Sequence, residues 1–342
     1  MFAGPRTRRS GVSGWQTAYS AAPRPRLGRY KSPMRILVYE YTCAPAGASL
    51  GDSLRAEGRA MLLAVLEDFR RIPGVEAVTL PAGEERAVIH DAARSCDHVL
   101  LIAPEFGGLL AERCRWVEEA GGRLLGPSSA AAQLTADKLR LSHHLRGAGV
   151  PTPACTPYPG AVPFPAVLKP RDGAGSQATF LVRNPDELAR CSAQAAAEGW
   201  CGELILQPFV PGTAASVALL LGPGRCVPLL PAEQHLFDGS RFRYRGGRVP
   251  LPAALGGRAV TLACRAVAAV PGLRGYVGVD LVLGDEDQVI EINPRLTTSY
   301  IGLRALAETN LAEAILRVAA GEDVSLRWRE GAVEFTADGT LK

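Results

Sequence analysis

A chain of 342 residues is too long for one ordinary domain and implies two or three, and 47% hydrophobic residues can fill sizeable cores. The net charge of +4 is concentrated at the start, where residues 1 to 31 hold Arg6, Arg8, Arg9, Arg24, Arg26, Arg29 and Lys31 with no acidic residue. The remainder is slightly acidic, which argues against a basic surface built for nucleic acid, and no run approaches the roughly 18 apolar residues that span a membrane.

Residues 1–33 read as a disordered basic tail: Arg8-Arg9 hints at export, but no apolar stretch follows. Met34 directly precedes the first strand and marks an alternative start. A parallel α/β unit is expected over 34–125, with strands at 35–41, 75–80 and 98–103 and helices at about 50–71, 84–95 and 109–120. The first strand runs into Thr42-Cys43-Ala44-Pro45-Ala46-Gly47, which lacks the Gly-x-Gly-x-x-Gly of a dinucleotide site.

An α+β segment over 126–210 follows. It should hold a helix at about 136–147 capped by Thr135, strands at 165–169, 178–182 and 203–209, and a helix at 186–198. A second α+β segment, 211–325, reads as strands at 215–221 and 226–230, a polar arginine-rich stretch at 238–248, a helix at 256–270, a hairpin at 276–293 and a helix near 308–319. Residues 326–342 read as a C-terminal tail. The eight cysteines form no Cys-x-x-Cys pair and no zinc-like cluster with histidine, as expected of free thiols in a reducing cytoplasm.

The hairpin carries chemistry. With Gly284-Asp285-Glu286-Asp287 as its turn, residue 283 faces 288 and Asp280 faces Glu291. Opposed β-carbons lie about 4.5 to 5.5 Å apart, so two like charges there need compensation. A divalent cation would supply it, with Asn293 adding a neutral oxygen from the same face. Val279, Leu281, Ile290 and Ile292 would line the other face. A solvated pair of surface carboxylates is the alternative.

The chain has 34 arginines and four lysines, and of those four only Lys138 and Lys169 fall inside the body. A compact ammonium at two interior points suits phosphate handling, although leftover codon use would look the same. Lys169 ends an apolar strand and leads into Pro170-Arg171-Asp172-Gly173-Ala174-Gly175-Ser176, where Gly173 and Gly175 permit a turn with free N–H donors. Lys138 opposes the dipole at the start of its helix, a conflict that a bound phosphate would relieve.

Taken together, Thr-x-Asp-Lys138, Leu-Lys169-Pro-Arg-Asp-Gly-Ala-Gly-Ser, Gln207-Pro-Phe-Val-Pro-Gly212 and Asp280 with Glu291-Ile-Asn293-Pro-Arg295 resemble the ATP-grasp superfamily. The run from Glu291 to Gly302, with Tyr39-Glu40-Tyr41, is most similar to the tyramine-glutamate ligases of methanofuran biosynthesis. The resemblance implies a parallel α/β pre-ATP-grasp domain followed by two α+β subdomains gripping ATP. It assigns Lys138, Lys169 and the turn at Gly173, Gly175 and Ser176 to the phosphates, and Gln207 and the Phe209 backbone to adenine. Asp280, Glu291 and Asn293 would hold one or two Mg²⁺ or Mn²⁺ ions, and Arg295 would act on the transferring phosphate. Ser299 and Thr298 are better placed for the acid substrate than Arg243 of the arginine run, which could equally be a solvated face.

Two departures stand out. Ala214 and Ala215 fall where many relatives carry a ribose-binding glutamate, and Gly278 falls where D-alanine ligases carry an arginine. The activity implied is an ATP-dependent carboxylate-amine ligase with small-molecule acid and amine substrates, no nucleic acid or membrane partner, and a homodimer as a candidate state. A carboxylase-like or peptide-tailing ligase, or a non-catalytic ATP sensor, would use the same cleft.

Overall fold

The computed structural model describes residues 33–80, 84–239 and 241–342. Apart from Pro33, the segment read as a basic tail lies outside them. In the first domain, β1 (Met34–Glu40), α1 (Asp52–Arg70), β2 (Val75–Val78), α2 (Glu85–Ser95), β3 (His98–Ile102) and α3 (Leu109–Glu119) alternate as the pattern predicts. The strands form a parallel sheet in the order β2-β1-β3. Because successive side chains point to opposite faces, Ile36 and Val38 pack on Met61, Val65 and Phe69 of α1. Leu37 and Tyr39 pack on Ile89, Leu110 and Cys114 of α2 and α3.

The helix expected over 136–147 is α5 (Lys138–Gly147), and a further helix that the pattern did not reveal, α4 (Ser129–Ala136), precedes it. The cap is Asp137, not Thr135: Asp137 has extended backbone angles and its Oδ1 accepts from Arg140 N at 3.0 Å. Thr135 instead donates back to the Ala131 carbonyl inside α4.

The chain continues through β4 (Thr156–Pro157), β5 (Ala166–Pro170), β6 (Phe180–Val182), α6 (Pro185–Ala197), β7 (Leu204–Pro208), β8 (Thr213–Gly222), β9 (Arg225–Pro228), β10 (Ala232–Asp238) and β11 (Arg241–Val249). It ends with α7 (Ala253–Ala268), β12 (Gly275–Leu283), β13 (Gln288–Asn293), α8 (Ser299–Leu306), α9 (Leu311–Ala319) and β14 (Val333–Thr336). These strands form one antiparallel path, β13-β12-β8-β10-β11-β6-β5-β7-β4, with β9 on β8 and β14 on β11. The arginine-rich stretch thus falls on the end of β10 and on β11. The alternation of Phe242 and Tyr244 with Arg241, Arg243 and Arg245 gives it a two-residue period. The segment read as a tail supplies β14, whose Phe335 is buried.

The two halves of the path join through a narrow contact, the pair Arg241 and Phe180 between β11 and β6. The middle subdomain keeps its own core around Ala166, Leu168, Phe180, Val182, Ala195 and Leu206. By contrast, one core runs from Ile36 and Phe69 of the first domain to Leu220, Tyr276, Tyr300 and Phe335 of the last. Buried Asp68 on α1 seals that junction, accepting from Tyr300 Oη at 2.7 Å and from Arg304 Nη2 at 2.7 Å and Nε at 3.0 Å. Among the described residues no helix is long and apolar enough to cross a membrane.

Gly246 on β11 has φ of +122°, and an added Cβ would strike the Phe335 carbonyl of β14. Gly246→Ala is therefore expected to destabilise the protein by about 1 to 3 kcal/mol. Thermal unfolding should show a lowered Tm, and limited proteolysis should show faster cleavage within 326–342.

Candidate active site

The hairpin positions its carboxylates by strand pairing. Asp280 faces Glu291 and Gly278 faces Asn293, as counting predicts, but the turn is reached differently. Val282, not Leu283, pairs with Gln288, and a bulge after Asp280 absorbs the one-residue offset. In consequence Val289 enters the core while Ile290, expected on the core side, lines the cleft.

Around Asp280 the polar partners converge. Gln234 Nε2 on β10 donates to its Oδ1 at 2.9 Å and Asn293 Nδ2 to its Oδ2 at 2.9 Å. Ser216, its cross-strand partner on β8, also hydrogen-bonds it. Burial, and then the charge of Glu291, push the Asp280 carboxyl well above the usual carboxylate range, to about 7. Burial raises Glu291 too, but Lys138 and Lys169 outweigh it and hold Glu291 below its ordinary value. Lys138 Nζ lies 3.3 Å from Glu291 Oε2 and donates to the Gly173 carbonyl at 3.1 Å. Lys169 on β5 is 5% exposed, and burial depresses its ammonium. A facing carboxylate pair with an asparagine beside it, two ammonium groups against it and an open cleft in front is a donor set that fits a hard divalent cation carrying phosphate oxygens.

The turn after β5 closes one side of this cleft. Gly175, Ser176 and Ala178 all adopt positive φ, of 66°, 58° and 44°. Asp172 Oδ2 accepts from the Gly107 backbone N–H at 2.9 Å, tying the turn to the first domain. Gln207 and Phe209 line the far wall with Val167, Val210 and Val282. Gln207 is buried and contacts Cys155 Sγ, and the Phe209 N–H is taken by the Pro165 carbonyl.

Arg295 is braced from the first domain: its Nη2 donates to Glu105 Oε2 at 3.0 Å. Its Nε lies 2.9 Å from Oε1 without a hydrogen-bonding angle. Ser299 sits buried in a hydroxyl triangle with Tyr276 at 3.1 Å and Thr297 at 2.9 Å. Thr298 donates to Glu57 of α1.

Arg243 does not join the site. It is exposed on β11, while Phe242 and Tyr244 on either side of it line the cleft. Their alternation was a legible signal for this. Ser216, Gln234 and Glu57 were missed, and Glu57 could not have been found from the motifs, since it sits 241 residues from its partner Thr298. Burial raises the Glu57 carboxyl, Thr298 and Arg295 oppose the shift, and Glu105 and Glu40 add to it. Ala214 pairs with Val282 on β12 and brings no carboxylate, so the usual ribose acceptor is absent at this position.

Comparison with known proteins gives this geometry its family. Residues 135–299 match the profile of an ATP-grasp domain, and 66–132 that of a pre ATP-grasp 3 domain. The chain is 30% identical to the tyramine–L-glutamate ligase of Methanocaldococcus fervens over 68% of this chain and 69% of that one. It is 31% identical to a D-alanine–D-alanine ligase of Nitratidesulfovibrio vulgaris over 56% of this chain and 68% of that one. A solved ATP-grasp superfamily protein from Archaeoglobus fulgidus superposes with a TM-score of 0.70 at 27% identity, covering 88% of this chain and 92% of its own. The chain belongs to the ATP-grasp superfamily and is an ATP-dependent ligase that forms C–N bonds between an acid and an amine. Within that class it resembles the tyramine–L-glutamate ligases along most of their length.

The raised Asp280 carboxyl carries a pH signature. The folded protein holds this proton more tightly than the unfolded chain, so the contribution of Asp280 to stability falls as pH rises from about 4 towards about 7 and is constant above. In chelator, carboxyl-carbon NMR of Asp280 should titrate near 7, and the urea midpoint should decline over the same window by more than in Asp280→Ala.

Proposed function

We propose that this ligase joins glutamate to an aromatic amine such as tyramine through an acyl phosphate, releasing ADP and phosphate, as a cytoplasmic step of methanofuran-type cofactor biosynthesis. The observation that carries the reading is the meeting of Lys138, Lys169, Asp280, Glu291, Asn293 and Arg295 in one cleft from four separate elements and the loop after β13. Similarity to two tyramine–L-glutamate ligases supports the choice of substrates.

The glutamate side-chain carboxylate attacks the γ-phosphorus of ATP and ADP leaves. Charge grows on the bridging and equatorial oxygens during this transfer, so catalysis is chiefly positioning and electrostatics. Lys138 and Lys169 offset that charge, and the 173–176 turn with Ser176 closes over the phosphates. Gln207 and Phe209 border the adenine. Asp280, Glu291 and Asn293 would hold one or two Mg²⁺ or Mn²⁺ ions, which supply charge neutralisation for the phosphates. Arg295, held by Glu105, faces the acyl phosphate, which the neutral amine then attacks at carbon to expel phosphate. Ser299 and Thr298 orient the acid, and Glu57 offers a carboxylate to its ammonium group.

The direct test is incubation with ATP, Mg²⁺, glutamate and tyramine, which should release one ADP for each γ-linked amide detected by mass spectrometry. Absence of ADP across a panel of acids and amines, or ADP release that depends on bicarbonate alone, would overturn the reading. In the same assay Lys138→Arg and Lys169→Arg should each lower kcat by about 10²-fold or more, because a planar guanidinium cannot replace a compact ammonium in this space. Circular dichroism should show both variants folded.

Glu57→Gln should raise KM for glutamate by about 10- to 100-fold, the loss of a charged hydrogen bond. KM for ATP should stay within about twofold of wild type, and turnover of glutarate, which lacks the ammonium, should be unchanged. Equal losses on glutamate and glutarate would mean that Glu57 only supports the fold.

A further inference from the structure

On the outer side of the last subdomain, away from the cleft, two thiols meet. Cys226 on β9 and Cys264 on α7 have sulfurs 3.8 Å apart, with Cys226 placed to donate its S–H to Cys264. They are 38 residues apart in sequence, and neither lies in a Cys-x-x-Cys motif. Cys226 is exposed and Cys264 half-buried, so a small oxidant can reach the pair from solvent. The other described cysteines are either buried, as Cys114 and Cys155 are, or make no thiol contact of this kind.

We propose that Cys226 and Cys264 form a reversible disulfide that pins the β9 edge to α7. A disulfide needs its sulfurs at about 2.05 Å, so the two must close by about 1.8 Å, the reach of a side-chain rotation. Contact between β9 and the helix is already in place. The hydrogen bond from Cys226 favours the thiolate on Cys264, more than offsetting burial, and directs which sulfur reacts first.

With a peroxide as oxidant, the Cys264 thiolate attacks one oxygen, breaking the O–O bond, to give the sulfenic acid and, after protonation, water. Cys226 then attacks the sulfenic sulfur, the S–S bond forms and a second water leaves. The thiols lose two electrons and two protons in total, and the peroxide gains them. A cellular dithiol would reverse the step.

α7 packs behind β8, β12 and β13, the strands that carry Ser216, Asp280, Glu291 and Asn293. The cross-link therefore ties the outer edge of the sheet to the helix that backs the carboxylate hairpin.

The test uses the full chain, folded and pre-reduced, treated with limiting hydrogen peroxide, then alkylated and digested. Two of its eight thiols should become unreactive. Mass spectrometry should recover one linked pair containing Cys226 and Cys264, lighter by two hydrogens and separated by dithiothreitol. Cys226→Ser and Cys264→Ser should each abolish that pair. Recovery of both cysteines as separately alkylated thiols, as sulfinic acids, or linked only between chains on a non-reducing gel would overturn the assignment.

Discussion

Two carboxylates that face each other across a strand pair create an electrostatic demand that organises the rest of the cleft. Asp280 and Glu291 are held opposite by backbone hydrogen bonds and cannot drift apart. Their repulsion is met in the protein by proton uptake on Asp280, by Lys138 and Lys169 on the Glu291 side, and by hydrogen bonds from Gln234, Asn293 and Ser216. Each of these partners comes from a different element, so the pair acts as the point at which both halves of the sheet converge. The arrangement is costly without a cation and matched to one.

How those elements reach one another follows from where the cores lie. The first domain and the last subdomain share apolar packing and the Asp68 junction, whereas the middle subdomain packs on itself and joins the rest through a narrow strand contact. Lys169 and the glycine turn thus belong to a semi-independent body set against a larger one that holds the carboxylates. Polar ties also cross between the two bodies, among them Lys138 to Gly173, Asp137 to Arg171, Asp172 to Gly107 and Arg241 to Glu198. Such a division suits a cleft that must admit and release a nucleotide.

The first domain also contributes to the site itself. Glu105 braces Arg295, and Glu57 reaches the hydroxyl-rich end of the cleft through Thr298. In the proposed function, recognition of the acid therefore draws on residues outside the matched ATP-grasp region, which begins at residue 135. Glu57 and Glu105 themselves stand before and within the preceding matched segment, 66–132.

Local pattern was sufficient for the parallel start and the helices with clear apolar periodicity, because these periods act over a few residues, whereas the counted opposition of Asp280 to Glu291 holds only because the bulge at Ile290 offsets a turn one residue longer than the count assumed. The rarity of lysine among arginines drew attention to Lys138 and Lys169, and the fold brings both to the cleft. Local pattern failed at the Asp137 cap and the Ile290 bulge and left the arginine-rich stretch without an assigned element, where a cap, an extra residue or a neighbouring strand decides between alternatives of similar local energy. Glu57, Glu105, Gln234 and the Cys226 and Cys264 contact carry no short-range signature. Their positions arise from the packing of α1 on α8, β10 on β8 and α7 on β9, and sequence distance holds no record of which faces will meet when separate apolar surfaces are buried together.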